Sequence, residues 1–248
     1  SMRITAYAER LLQGLDTIDW SESIKESQRN WIGKSVGASI NFALPESEYT
    51  IEVFTTRPDT LFGVTYLTLA PEHALVPLIT TDEQRTEVEA YIAATAKRSE
   101  RDRMADTKTV SGAFTGAYAV HPLTGKQLPI WIGDYVLASY GTGAVMAVPA
   151  GDDRDYAFAK HFKGAKGMPE PINIFDKDIS EVAFTDKEGM TYQNSDILNG
   201  CANFSEAVDK VLAALEAKGA GKAKVNYRLR DAVFSRQRYW GEPFPVYY

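Results

Sequence analysis

Cysteine is almost missing from this chain: Cys201 stands alone among 248 residues. No disulfide can close within it, and a reducing, cytoplasmic setting is expected. Histidine is nearly as scarce. His73, His121 and His161 are scattered, and none is spaced with a partner as metal ligands are, so no metal site is expected. The same scarcity leaves a serine or cysteine nucleophile without a positioned base. No apolar run approaches the roughly 20 residues that span a bilayer, so no membrane partner is expected. Repeats, low-complexity tracts and long blocks of like charge are also missing, which excludes coiled coil and disorder. Positive charge is in deficit: 27 Lys and Arg face 33 Asp and Glu, a net charge of −6. A broad basic face for gripping nucleic acid is thereby excluded, and only a small local contact is left open. Gly141-Thr142-Gly143 lacks both the Gly-Lys-Ser/Thr ending and the third glycine of a phosphate loop, so close backbone packing is the expected use of these glycines.

What is present is an ordinary globular composition, 44% hydrophobic and 24% charged, long enough to bury a full core. Apolar residues at helical spacing run over 4–18, and Ser23 with Glu26 forms a capping-box pattern for a second helix that Gly33 ends. From residue 36 the period changes to two. Residues 36–44 and 49–55 read as a hairpin, 64–69 as a strand, and Thr81 with Gln84 opens a helix that closes near Lys97-Arg98. Residues 114–136 read as a hairpin turning at Pro122-Leu123-Thr124-Gly125. A short strand over 145–148 stops at Pro149, Asp152 caps the next helix, 172–175 is a strand, and Ser205 caps a helix ended by Gly219. Short strands with helices inserted irregularly between them predict an α+β fold with a curved or closed β-barrel core.

Two stretches carry chemistry. Thr55-Thr56-Arg57-Pro58-Asp59-Thr60 crowds three hydroxyls around one guanidinium at a strand end, a set suited to an esterified, phosphate-bearing substrate. Gly141 to Tyr156 runs from small residues through an apolar strand into Asp152, Asp153, Arg154 and Asp155 at a helix start. Each residue also has a purely structural use. Asp152 either caps the helix or contacts ligand; Asp155 either favours the helix dipole or holds a substrate ammonium; the threonines are either turn residues or a hydroxyl lining.

Taken together, Thr55 to Gly63 and Gly141 to Asp155 resemble the signature blocks of the editing domain of leucyl-tRNA synthetase. Asn30-Trp31-Ile32-Gly33-Lys34-Ser35 is similar to the segment leading into that domain in bacterial enzymes, and Ser235-Arg236-Gln237-Arg238-Tyr239-Trp240-Gly241 to the return into the catalytic body. The resemblance implies three parts: a helical flank over 1–34, the editing domain over 35–225, and a return segment over 226–248. The His-Ile-Gly-His and Lys-Met-Ser-Lys-Ser signatures of aminoacylation are missing, so the stretch is not expected to make aminoacyl-tRNA.

The implied activity is hydrolysis of tRNA(Leu) mischarged with norvaline, isoleucine or methionine, with leucine excluded. No cofactor is implied for that step, ATP serving only the full-length enzyme, and the implied partners are the tRNA 3′ acceptor end and the parent synthetase body. The resemblance assigns Thr60 to blocking leucine, Met146, Val148 and Tyr140 to the pocket, Asp155 to the substrate ammonium, and Asp152 to a second acid contact. Thr55, Thr56 and Arg57 it assigns to the terminal adenosine and ester. Gly151 stands where many members carry histidine, which removes an imidazole from the expected mechanism. A non-catalytic acceptor-end binding module and a hydrolase of small esters are the competing readings.

Overall fold

The computed structural model describes residues 3–45, 47–105, 109–138, 141–231, 238–239 and 242–243. The chain divides into two compact units, residues 37–224 and residues 1–36 with 225–248. In the smaller unit a short 3-10 turn, Ile4–Tyr7, leads into α1 (Ala8–Gly14), followed by α2 (Glu22–Ile32). The expected Ser23 capping box does not form: Ser21 occupies the cap position, and Gly33 ends the helix at φ 60°, where only glycine is free of strain. Within this unit Glu9 of α1 accepts from Lys34 Nζ at 3.0 Å and Tyr227 Oη at 2.7 Å.

The larger unit is built on β1 (Lys34–Ala43), β2 (Thr50–Thr55), β3 (Tyr66–Leu69), β4 (Gly112–Val120), β5 (Gln127–Gly133), β6 (Ala144–Ala147) and β7 (Gly221–Tyr227). They form one sheet in the order β2-β1-β4-β5-β3-β6, with β7 beside β1. Of the registered pairs only β3 with β5 is parallel. Helices α3 (Val76–Ile79), α4 (Asp82–Thr95) and α5 (Glu100–Ala105) fall between β3 and β4; α6 (Asp153–His161) and α7 (Phe204–Ala217) fall between β6 and β7.

Strand periodicity sorts the core into two layers. Leu67 and Leu69 of β3, Ile130 and Ile132 of β5 and Met146 of β6 join the larger cluster with β1, β2 and α7, while the alternate residues Tyr66, Trp131 and Ala147 face Phe158 and Ala159 of α6. Both faces are covered, so β3 is buried at every position. Phe158, 1% exposed, sits between Tyr66 and Trp131. Its burial alone contributes about 2–3 kcal/mol.

The α+β class holds, but the sheet is not closed into a barrel. Its end strands β2 and β6 lie against each other without a hydrogen-bonded ladder among the described residues. β6 has four residues before Pro149, too short and too abruptly stopped to zip against β2. The strand expected over 172–175 is also replaced, by one isolated bridge between Phe175 and Tyr192. Asn173 explains this: its side chain donates to Lys177 O and accepts from Phe175 N–H, locally outcompeting a ladder. For α7 the cap is Asn203, which accepts from Glu206 N–H, rather than Ser205.

Candidate functional site

The threonine-rich stretch leaves β2 and turns into a 3-10 segment, Pro58–Gly63, whose six residues are all buried. Proline at its start sets φ and needs no N–H partner. Thr60 is fixed twice over, its N–H and hydroxyl both donating to Arg57 O at 3.1 and 2.9 Å. This fixes the rotamer, and the methyl points to Gly151, where an added Cβ would lie 3.6 Å from Thr60 Cγ2 and 3.6 Å from the Phe175 ring.

The guanidinium of Arg57 is engaged by neighbouring groups of the protein. Nε and Nη2 form a fork on the fully buried Asp59, Nη1 reaches Thr185 O, and the group lies 5.5 Å over the Phe204 ring. Tyr192 Oη donates to the same carboxylate at 2.7 Å. Arg57 is therefore the brace of the turn. Desolvation opposes its charge, but Asp59 outweighs it and the guanidinium is held above its ordinary range. Thr55 Oγ1 accepts from Arg57 N–H at 3.0 Å, which leaves its own proton to donate, and the Thr56 side chain is exposed.

Helix α6 carries the acids. Asp152 caps it, Oδ1 accepting from the N–H groups of Arg154 and Asp155 at 2.9 and 3.1 Å, and only Oδ2 is outside the cap. Asp155 is buried one turn in. Its Oδ2 accepts from Val148 N–H at 2.8 Å and its Oδ1 from Tyr135 Oη at 3.2 Å, while Tyr66 Oη donates to its main-chain carbonyl at 3.1 Å. Burial, followed by the nearby Asp152 charge, pushes its pKa up to about 8 against the opposing pull of Val148 N–H, the Tyr135 hydroxyl and Arg154.

Both motifs converge on residues 148–151. Val148 donates to Asp155, while its side chain stands 3.0 Å from where a Cβ on Gly63 would be, and Gly151 meets Thr60. Val148 and Met146 are packed into the larger cluster, and Ala150 O accepts from Phe184 N–H at 2.9 Å. Tyr140 lies outside the described residues. Gly141 and Gly143 have φ 66° and 70°, and a Cβ on Gly143 would crowd His73 at 3.2 Å, in keeping with a backbone role for these glycines. Among the described residues no group of three His, Cys, Asp or Glu side chains is gathered as a metal cluster, and no helix is long and apolar enough to cross a membrane.

Sequence reasoning missed Tyr135, Tyr66, Tyr192 and Phe175. Only Gly133 signalled any of them. A Cβ there would come within 2.9 Å of Tyr135 Cε1 and 3.0 Å of Thr68 Cγ2, so glycine clears the space for the ring.

The open α+β sheet, with its two motif loops meeting at residues 148–151, differs from a doubly wound nucleotide-binding sheet. Residues 29–216 match the family model of the leucyl-tRNA synthetase editing domain, and the chain belongs to that family. It is 69% identical to the leucine–tRNA ligase of Flavobacterium johnsoniae and 53% identical to that of Phocaeicola vulgatus, each match covering 100% of this chain and 26% of the relative. It thus spans about a quarter of the length of the curated relatives it matches. A solved relative, the ternary complex of Agrobacterium radiobacter K84 agnB2 LeuRS with tRNA and LeuAMS, superposes with a TM-score of 0.68 at 34% identity, over 92% of this chain and 25% of that one.

Proposed function

We propose that the chain is the post-transfer editing module of a leucyl-tRNA synthetase, hydrolysing the ester of tRNA(Leu) mischarged with norvaline, isoleucine or methionine. The observation that carries this reading is the convergence at residues 148–151, which joins a buried carboxylate on one side to the fixed Thr60 methyl on the other. An ammonium and a slim aliphatic side chain are the two features an aminoacyl ester presents together. One methylene distinguishes substrates by only about 1–3 kcal/mol, so a second, smaller sieve is needed, as the sister synthetases illustrate.

In this reading Asp155 anchors the ammonium by a charge-assisted hydrogen bond. Thr60 blocks the branched end of leucine, and Met146, Val148 and Tyr140 shape the rest of the pocket. Thr55 and Thr56 supply hydroxyls to the ester and the terminal adenosine, while Asp152 keeps one oxygen for the polar rim. Arg57 acts through the turn it braces. The ester is labile, so a water held among carbonyls and hydroxyls suffices, and Gly151 imposes no imidazole. Water is the only co-reactant; ATP belongs to aminoacylation by the whole enzyme. The 3′ acceptor end of tRNA(Leu) is the partner, and the synthetase body completes its binding.

Release of free isoleucine from Ile-tRNA(Leu) by the chain tests the proposal. Asp155→Ala should stop it, and Thr60→Ala should let Leu-tRNA(Leu) be attacked. A second reading, an acceptor-end binding module without turnover of its own, is favoured by the engagement of Arg57 with Asp59 and the net charge of −6. Binding of mischarged tRNA without release of amino acid would decide for it, and turnover of esters lacking a nucleotide would support a small-ester hydrolase.

A further inference from the structure

We propose that Tyr135 is a positioning residue for editing: its hydroxyl aims the Asp155 carboxylate at the substrate ammonium and favours its charged form. The inference rests on the ammonium-anchor reading of Asp155 and adds the residue that makes this anchor work. A carboxylate buried beside a second acid has two ways to fail, rotating away from its ligand or taking up a proton. Val148 N–H fixes Oδ2 and leaves Oδ1 to be held by something else. That group is the Tyr135 hydroxyl, 3.2 Å away.

The direction of the chain of hydrogen bonds is determined by its end. Facing the ammonium the carboxylate is ionised and only accepts, so Tyr135 donates to Asp155, and Thr68 Oγ1, 3.0 Å from Tyr135 Oη, donates in turn to the tyrosine. Each bond polarises the next. Burial and the Asp155 charge hold the Tyr135 hydroxyl well above its ordinary range, so it stays a donor at every working pH. The titratable and charged groups around Asp155 are Tyr66 and Tyr135 from the sheet side and Asp152 and Arg154 from its own helix turn. Of these, Tyr135 alone donates to the carboxylate.

The tyrosine is itself held on every side. Its ring packs on Phe158 at 5.6 Å, and Gly133 leaves room for the ring edge. The preceding residue is pinned to α4 and the turn beyond it, Asp134 N–H donating to Tyr91 Oη at 2.9 Å and its carboxylate taking Arg98 at 2.7 Å. Such rigidity suits a group whose task is to orient another.

The experiment compares Tyr135→Phe, Thr68→Val and Asp155→Asn, reading steady-state deacylation of Ile-tRNA(Leu) and the titration of Asp155 by its carboxyl carbon resonance. Tyr135→Phe keeps the ring and should raise KM by roughly tenfold, the scale of one hydrogen bond to a charged group, with kcat little changed. The Asp155 titration should move to higher pH, because a donor to the charged form is lost, and Thr68→Val should move both readouts the same way by less. A Tyr135→Phe variant with wild-type KM and unmoved Asp155 titration overturns the inference while Asp155→Asn inactivity upholds the anchor. Undiminished deacylation by Asp155→Asn overturns the anchor and the role of Tyr135 with it.

Discussion

His121 donates from Nε2 to the carbonyl oxygen of Leu61 at 3.0 Å, bridging the β4–β5 turn to the 3-10 segment that holds Thr60. Its Nδ1 accepts from the N–H groups of Leu123 and Thr124, each at 3.2 Å, so the imidazole is neutral with its proton on Nε2. The ring lies stacked against Phe62 at 6.0 Å. One buried side chain therefore satisfies three backbone groups in two loops.

Substituting His121 by Ala should cost about 2–4 kcal/mol, because three buried backbone groups lose their partner and a cavity opens. Burial, the main cause, together with Lys126 and Lys218 holds this imidazole below its ordinary range, against the pull of the Leu61 carbonyl. A depressed value means the fold binds fewer protons than the unfolded chain, so the contribution is complete above about pH 6.5 and is lost as pH falls through the folded value. Urea midpoints measured from pH 7.5 to 5 should fall more steeply for the wild type than for His121→Gln, which cannot titrate.

Asp59, 0% exposed, receives both the Arg57 fork and the Tyr192 hydroxyl. Asp59→Asn should destabilise by about 3 kcal/mol, since a half-buried guanidinium loses its counter-charge, whereas Tyr192→Phe should cost only about 1 kcal/mol. A double-mutant cycle should show the two coupled, as members of one network. Because Arg57 O anchors Thr60, Asp59→Asn should also loosen the exclusion of leucine, read as attack on Leu-tRNA(Leu).

Asp155 predicts the opposite pH slope from His121. Its folded value of about 8 lies above its ordinary 3.8, so the fold retains a proton that the unfolded chain releases. That contribution is complete below about pH 4 and disappears as pH rises through about 8. Asn at this position can accept from Val148 N–H and donate to Tyr135 Oη, keeping the network without a charge. Thermal midpoints of Asp155→Asn should therefore rise relative to wild type as pH goes from 5 to 9; a constant gap would refute the raised value.

The parts legible in the sequence were those written in local periodicity. Alternation over 36–44 gave a strand because one face of it had to be buried, and Gly33 and Gly219 marked helix ends at φ 60° and 62°. Caps were less legible, since Ser21 and Asn203 compete with Ser23 and Ser205 a residue or two away. The bracing of the site could not be read at all. Tyr192 reaches Asp59 across 133 positions and Tyr66 reaches Asp155 across 89, pairings that no local sequence pattern encodes. The surroundings of Arg57 were hidden for the same reason: in sequence its nearest company is hydroxyls, whereas in space it is Asp59 and Phe204.

Two glycines beside the site should respond in opposite ways to the same added methyl. A Cβ on Gly37 of β1 would stand 2.8 Å from Thr55 C and 3.1 Å from Thr56 Cα, and closer still to the Thr55 carbonyl oxygen, so the end of β2 would have to move. Gly37→Ala should cost about 1–3 kcal/mol by overpacking and displace the two threonines proposed to face the ester, lowering deacylation beyond its effect on stability. At Gly151 the methyl meets Thr60 and Phe175 at ordinary contact distance, 3.6 Å, and the backbone lies outside the left-handed region. Gly151→Ala should therefore keep or slightly raise the thermal midpoint, by the roughly 0.4–1 kcal/mol that restricting the unfolded chain supplies. Because it narrows the space beside Thr60, it should slow deacylation of Ile-tRNA(Leu) more than that of norvalyl-tRNA(Leu), whose unbranched side chain is slimmer. Equal slowing of both would place residue 151 outside the wall of the pocket.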